Sequence, residues 1–169
     1  MSDRRPSKKT DRGAPRATRG RRAIGFRRGR RATRHGSILY VDRDPDSRQL
    51  LVELVAMTSG RDIVIVPDEA DALRSAQHLR PAVVVVSPST GDNRTLDLVR
   101  RLRQHRSLGA TPVVVISADV RPATRQAFTD LGVTAFLAKP VDLTVLADLL
   151  ERLAPSPDRS LPPVVRRAS

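Results

Sequence analysis

Four side chains able to do chemistry each stand just past a short apolar run. Asp42 follows Ile38-Leu-Tyr-Val41, and Ser87 follows Val83-Val-Val-Val86. Ser117 follows Val113-Val-Val-Ile116, and Lys139 comes two residues after Val133-Thr-Ala-Phe-Leu137. β-branched runs without alternation read as strands buried on both faces. In an open parallel α/β sheet, ligands and chemistry sit just beyond the carboxyl ends of the strands, where strand order reverses. What these residues could do there is bounded by what is missing. A serine hydroxyl needs a general base to become a nucleophile, and none is evident beside Ser87. The histidines, at 35, 78 and 105, lack metal-ligand spacing, and there is no cysteine to supply a thiolate site or a disulfide. No glycine-rich phosphate loop or nucleophile–base pair is present. The residues therefore predict no enzyme and no metal site.

The elements that must position these residues can be read in order. Asp44-Pro45 starts a first helix, with a side-chain cap followed by proline at the first helical position. Leu50, Leu51, Leu54 and Val55 share its buried face, and Gly60 ends it. Ile63-Val-Ile-Val66 is a second strand, and Pro67-Asp68-Glu69 opens a second helix. The valine strand 83–86 leads into a loop, Pro88 to Asn93, and then a third helix. That helix turns Leu98, Val99 and Leu102 inward and Arg100, Arg101 and Arg103 outward. Asp92, the one carboxylate near Ser87 in sequence, reads as part of the helix start. A fourth helix spans about Arg121 to Leu131 and stops at Gly132, and 133–137 is the fifth strand. Leu143, Leu146, Leu150 and Leu153 mark a last amphipathic helix. Five strands alternating with five helices predict an α/β fold, a doubly wound parallel sheet with helices on both faces.

Charge divides the chain of 169 residues into three parts. Residues 1–36 hold 14 Lys and Arg against 2 Asp, residues 37–153 are near neutral, and residues 154–169 form a Pro/Arg-rich tail. The net charge of +13 thus describes an appendage and not the fold. Both tails lack the apolar content to offset their ordering entropy and are predicted to be disordered. Arginines 27, 28, 30 and 31 (Arg27, Arg28, Arg30, Arg31) could release counterions on meeting a polyanion, so nonspecific nucleic-acid binding through residues 1–36 is one expectation. The other is a solvated tail with no specific partner. No apolar run approaches the roughly 20 residues of a membrane span, and no secretory signal is evident, so a cytoplasmic protein is expected.

Over residues 37–153 the chain resembles the receiver (CheY-like) domain of bacterial two-component response regulators. The resemblance is carried by Asp42-Arg43-Asp44-Pro45 after the first strand, and by Leu98 with Leu102-Arg103 in the third helix. Ser117-Ala118, Gly132 and Phe136-Leu-Ala-Lys139-Pro140 complete the set. It implies a flavodoxin-like, five-stranded sheet of order 2-1-3-4-5, with the site between the first and third strands. In the family that site moves a phosphoryl group from a histidine kinase onto an aspartate ending the third strand, with Mg²⁺ held partly by two acids after the first. By resemblance Asp42 matches the first acid, Ser117 the hydroxyl and Lys139 the lysine of the pocket. Phe136 matches the aromatic that reports the switched state, and Lys139-Pro140 a peptide that is usually cis.

Two site positions depart from the pattern, and the loop after the third strand departs as well, with Thr90-Gly91 where Met-Pro is usual and Arg94-Thr95 where Asp-Gly is usual. The second acid is Arg43 and the phosphoacceptor is Ser87. A serine cannot form the acyl phosphate that accepts phosphate reversibly from histidine. With Arg43 and Lys139 both pointing in, the pocket is formally +1 and repels a dication; with Arg43 turned to solvent it is near neutral. Mg²⁺ binding is expected to be lost or weak, and no other cofactor is implied. The chain thus reads as a single-domain pseudo-receiver in phosphorelay signalling, working by phosphorylation-independent protein binding. The resemblance implies a histidine kinase or target protein as partner, through the last helix–strand–helix face, which receivers also use for homodimers. A nucleic-acid-associated protein acting through its basic arm is the alternative.

Overall fold

The computed structural model describes residues 36–58, 61–89, 91, 93–154 and 165–167. The basic segment 1–35, the expected helix stop at Gly60, Asp92 and residues 155–164 lie outside them. Strands β1 (Ile38–Val41), β2 (Ile63–Val66), β3 (Val83–Val86), β4 (Val113–Ser117) and β5 (Ala135–Ala138) alternate with helices. The helices are α1 (Pro45–Thr58), α2 (Glu69–Leu79), α3 (Arg94–Gln104), α4 (Pro122–Asp130) and α5 (Leu143–Leu153), and β6 (Val165–Arg167) follows. Every strand pairing is parallel, and the sheet order is β5-β4-β3-β1-β2-β6. The expected order 2-1-3-4-5 is present, with a sixth strand added beside β2.

The strand runs lack alternation because both faces are covered. Leu39, Val41, Val64, Val66, Val84 and Val86 pack with Ala72, Ala76, Leu98, Val99, Leu102 and Phe128 of α2, α3 and α4. Their neighbours Ile38, Tyr40, Ile63, Ile65, Val83 and Val85 pack with Leu51, Leu54, Leu146 and Leu150 of α1 and α5. Helix starts follow the capping residues. The Asp44 carboxylate accepts from the backbone N–H groups of Asp46 and Ser47, Asp68 from that of Asp71, and Asp142 from those of Thr144 and Val145. The Lys139-Pro140 peptide is cis.

Three expectations are corrected. The tail at 154–169 is not uniformly outside the fold: Ala154 is fully buried, and Val165–Arg167 pair with β2 in the register Ile63↔Val165, Val64↔Arg166, Ile65↔Arg167. The fifth strand begins at Ala135 and not 133: the Val133 N–H is spent on the Phe128 carbonyl of α4, and the Thr134 N–H makes the first bond to β4, at the Val113 carbonyl.

Arg103 is the third correction. It does not point to solvent. Its guanidinium donates to the carbonyls of Leu131 (3.3 Å), Gly109 (3.1 Å), Thr111 (2.8 Å) and Gly132 (2.8 Å). One side chain thereby ties the turn after α3 to the turn after α4. The planar fork suits several carbonyls at once, which an ammonium does not. Gly109 completes the turn, since a Cβ there would meet the Arg103 carbonyl oxygen at 2.9 Å. Arg103→Ala is expected to lower unfolding free energy by roughly 1–3 kcal/mol, as for charge-assisted bonds lost from part-buried carbonyls, with Arg103→Lys recovering little of it. Urea melts of the two variants check this; a loss of both effects would contradict the clasp.

Candidate functional site

The carboxyl ends of β1, β3, β4 and β5 converge as the sheet register requires. Val41 pairs with Val86, so Asp42 and Ser87 stand on adjacent strands, and the Ser87 N–H donates to the Val41 carbonyl at 2.9 Å. Ser117 pairs with Ala138, and the Lys139 N–H donates to the Ser117 carbonyl at 2.9 Å. The four residues that sequence placed past strand ends thus share one edge of the sheet.

Asp42 is only 4% exposed, and a carboxylate so buried needs partners. The Tyr40 hydroxyl donates to its Oδ2 at 2.7 Å, and the Asp44 N–H donates to its Oδ1 at 2.8 Å. Lys139 Nζ lies 4.0 Å from Oδ2. Tyr40 is itself buried; that desolvation, then its bond to Asp42, pushes the phenol pKa well above its ordinary value near 10.

Arg43 does not add its charge to Asp42 and Lys139 alone. Its Nη2 donates to Glu69 Oε2 at 3.1 Å, and Glu69 Oε1 accepts from the buried Thr95 hydroxyl at 3.0 Å. The formal count of +1 with Arg43 inward is therefore corrected: with Glu69 included the group is neutral. Sequence reasoning did not place Glu69 or Thr95 in the site. The available signal was that Glu69 opens the helix after β2, at the same edge of the sheet as the other loops.

Ser117 is buried, and its Oγ accepts from the Asp119 N–H at 3.0 Å. Asp119 accepts a forked pair from Arg121 and a third bond from Thr124. The Arg121 hydrogen bond is foremost in holding the Asp119 carboxyl far below the usual carboxylate range. Phe136 is half-buried, with its ring 6.0 Å from that of Phe128 and the Arg125 guanidinium carbon 4.9 Å above it. Arg27, Arg28, Arg30 and Arg31 lie outside the described residues.

Mg²⁺ demands near-octahedral oxygen ligands. Of the acid turn, the buried Asp42 already accepts at both oxygens, a guanidinium follows it, and a hydroxyl stands at the end of β3. Among the described residues no group of three or more His, Asp or Glu could hold a metal.

The family model for the response regulator receiver domain matches residues 38–151. The chain belongs to this receiver family. It is 34% identical over 134 residues to the sensory/regulatory protein RpfC of Xanthomonas campestris, covering 78% of this chain but only 18% of that protein. An uncharacterised 14.6 kDa protein of Leptolyngbya boryana is 30% identical over 123 residues, or 72% of this chain and 93% of the relative. Among solved structures, the Vibrio cholerae chemotaxis protein CheY4 is similar, with TM-score 0.64 and 23% identity over 70% of this chain and 98% of that one. The receiver domain of sensor histidine kinase PA1611 from Pseudomonas aeruginosa, which coordinates magnesium in its active-site cleft, gives TM-score 0.63 and 21% identity over 70% and 97%. The receiver is thus a module of two-component signalling. Among the described residues no helix is long and apolar enough to cross a membrane.

Tyr40 makes the buried bond testable, because the chain has one tyrosine and no tryptophan. A phenol whose folded pKa is raised contributes stability that is present below pH ~10 and lost as pH rises further. The phenolate absorbance of the native receiver is expected to stay silent at pH ~10 and to appear only with alkaline unfolding, while in urea it titrates near the ordinary value. A native phenol titrating normally would contradict the Tyr40–Asp42 bond.

Proposed function

We propose that this receiver is a pseudo-receiver: it keeps the fold, has lost phosphoryl chemistry, and signals by binding proteins independently of phosphorylation. The observation that carries this reading is the Arg43–Glu69 ion pair beside an Asp42 whose oxygens are both engaged. A protein cation stands where the acid turn of the family offers a second metal ligand, so Mg²⁺ affinity is lost or weak. Ser87, at the acceptor position, can give only a phosphate ester, and that needs a base the pocket does not supply. The chain is not an enzyme in this reading.

Its partners are proteins of a two-component pathway, a histidine kinase or a target, met in the cytoplasm. The similarity to part of a sensory/regulatory protein supports that setting. The binding face is the one formed by α4, β5 and α5. Val145 of α5 and Val120 in the turn before α4 are both 49% exposed, and the Arg125 guanidinium lies 4.9 Å over the Phe136 ring.

Intact mass after incubation with acetyl phosphate and Mg²⁺ tests the reading. The native chain is expected to gain no adduct, and a chain carrying Ser87→Asp with Arg43→Asp is expected to gain one phosphoryl group. A labile adduct on the native chain would overturn the proposal and send the search for an acceptor to Asp42 and Asp92.

A further inference from the structure

Lys139 is the one lysine among the described residues, since the other two of the chain stand at positions 8 and 9. An ammonium is more compact than a guanidinium, and its donors rotate to meet a partner. Lys139 follows β5, yet its Nζ lies 4.0 Å from Oδ2 of Asp42, which follows β1. β4 and β3 stand between those two strands, at about 4.8 Å per strand. The lysine side chain therefore reaches across the ends of β4 and β3, where Ser117 and Ser87 stand.

The donors gathered there are unspent. An ammonium carries N–H groups on three sides, and a separation of 4.0 Å is no hydrogen bond. No described residue accepts from Lys139 Nζ at closer range. The half-buried Ser87 side chain bonds to no described residue. Ser117 is 2% exposed; its Oγ accepts from the Asp119 N–H, and its proton goes to no described acceptor. Donors held at a partly dry strand edge call for an acceptor. The neighbouring carboxylates are already engaged. Asp42 accepts at both oxygens, and Asp44, which also feels the Lys139 charge, caps α1.

We propose that Lys139, Ser87 and Ser117 bind a small carboxylate monoanion, whose oxygens accept from the ammonium and the two hydroxyls. The assignment rests on the pseudo-receiver reading, because a divalent ion at Asp42 would compete for the same edge of the sheet. Charge selects the class of ligand. Arg43 is committed to Glu69, which leaves the Lys139 ammonium to answer the anion. A second negative charge would face Asp42 and Asp44 with no cation to match it, so a carboxylate is preferred to inorganic phosphate. The link from Arg43 through Glu69 to Thr95 crosses the mouth of the site and favours a ligand of few atoms. Ser117 leads into the turn before α4 and Lys139 into the turn before α5, so the ligand touches both approaches to the binding face.

Acetate and formate titrated into the isotopically labelled full chain, without Mg²⁺ and at an ionic strength fixed with chloride, test this. The Ser87, Ser117 and Lys139 amide resonances are expected to shift saturably, with half-saturation on the order of 10 mM for ligands of so few atoms. Inorganic phosphate at mildly alkaline pH, where it is a dianion, is expected to bind at least about threefold more weakly. Lys139→Gln is expected to raise the acetate half-saturation point at least about tenfold, and Ser87→Ala about threefold. Shifts that chloride alone reproduces, phosphate binding as tight as acetate, or an unmoved half-saturation point in either variant each overturn the proposal. If Lys139→Gln does not fold, Ser87→Asp supplies a carboxylate from the chain itself and must abolish the acetate response; a response that persists is equally decisive against it. Mg²⁺ titrated alone separates the two claims. A silent Mg²⁺ titration with no acetate response sinks the ligand and leaves the pseudo-receiver standing, whereas saturable Mg²⁺ binding sinks both.

Discussion

A carboxylate at the end of a central strand, sealed from water, constrains everything around it. Asp42 directly follows β1, the strand between β2 and β3 in the sheet. Leaving it charged and unpaired there would cost several kcal/mol, so its surroundings must answer it. Tyr40, two residues back on the same face of β1, supplies a hydroxyl from inside the sheet. The turn that follows folds back so that the Asp44 N–H meets the other oxygen, and Asp44 then caps α1. The acid turn, the tyrosine and the first helix are one connected piece of local structure.

Arg43 comes from the same turn and extends its reach. By pairing with Glu69 at the start of α2, which in turn accepts from Thr95 of α3, it links the ends of three elements across the mouth of the site. In a receiver that binds metal, the ion can tie such loops together when it arrives. Here side chains do so from within the chain. The β4–α4 turn is likewise internally satisfied, through Ser117, Asp119, Arg121 and Thr124. Both loops therefore have partners in place without a ligand, which is the physical basis on which we propose a phosphorylation-independent role.

Much of this was legible in the residues. Valine and isoleucine runs with no alternation carried the buried strands, and Asp44-Pro45 carried the start of α1. The convergence of Asp42, Ser87, Ser117 and Lys139 followed from strand ends in a parallel sheet. What escaped was set by long-range geometry. Nothing local marks Glu69 as the partner of Arg43, 26 residues away. Arg103 sits among arginines on a polar helix and reads as solvated, yet the carbonyls it satisfies belong to turns up to 29 residues distant. β6 was hidden in a Pro/Arg-rich tail because three residues carry too little pattern to announce a strand, and its pairing depends on an edge that β2 presents only in the folded sheet.

The claim that the chain's own side chains have replaced the metal is tested most directly by titrating Mg²⁺ into the isotopically labelled native protein. The amide resonances of Asp42, Arg43, Asp44 and Ser87 report the acid turn and the end of β3. No saturable shift at millimolar Mg²⁺ is the result this account requires. A saturable shift centred on those four residues in the same range would mean that Asp42 gives up its internal partners for the ion, and the account would be wrong.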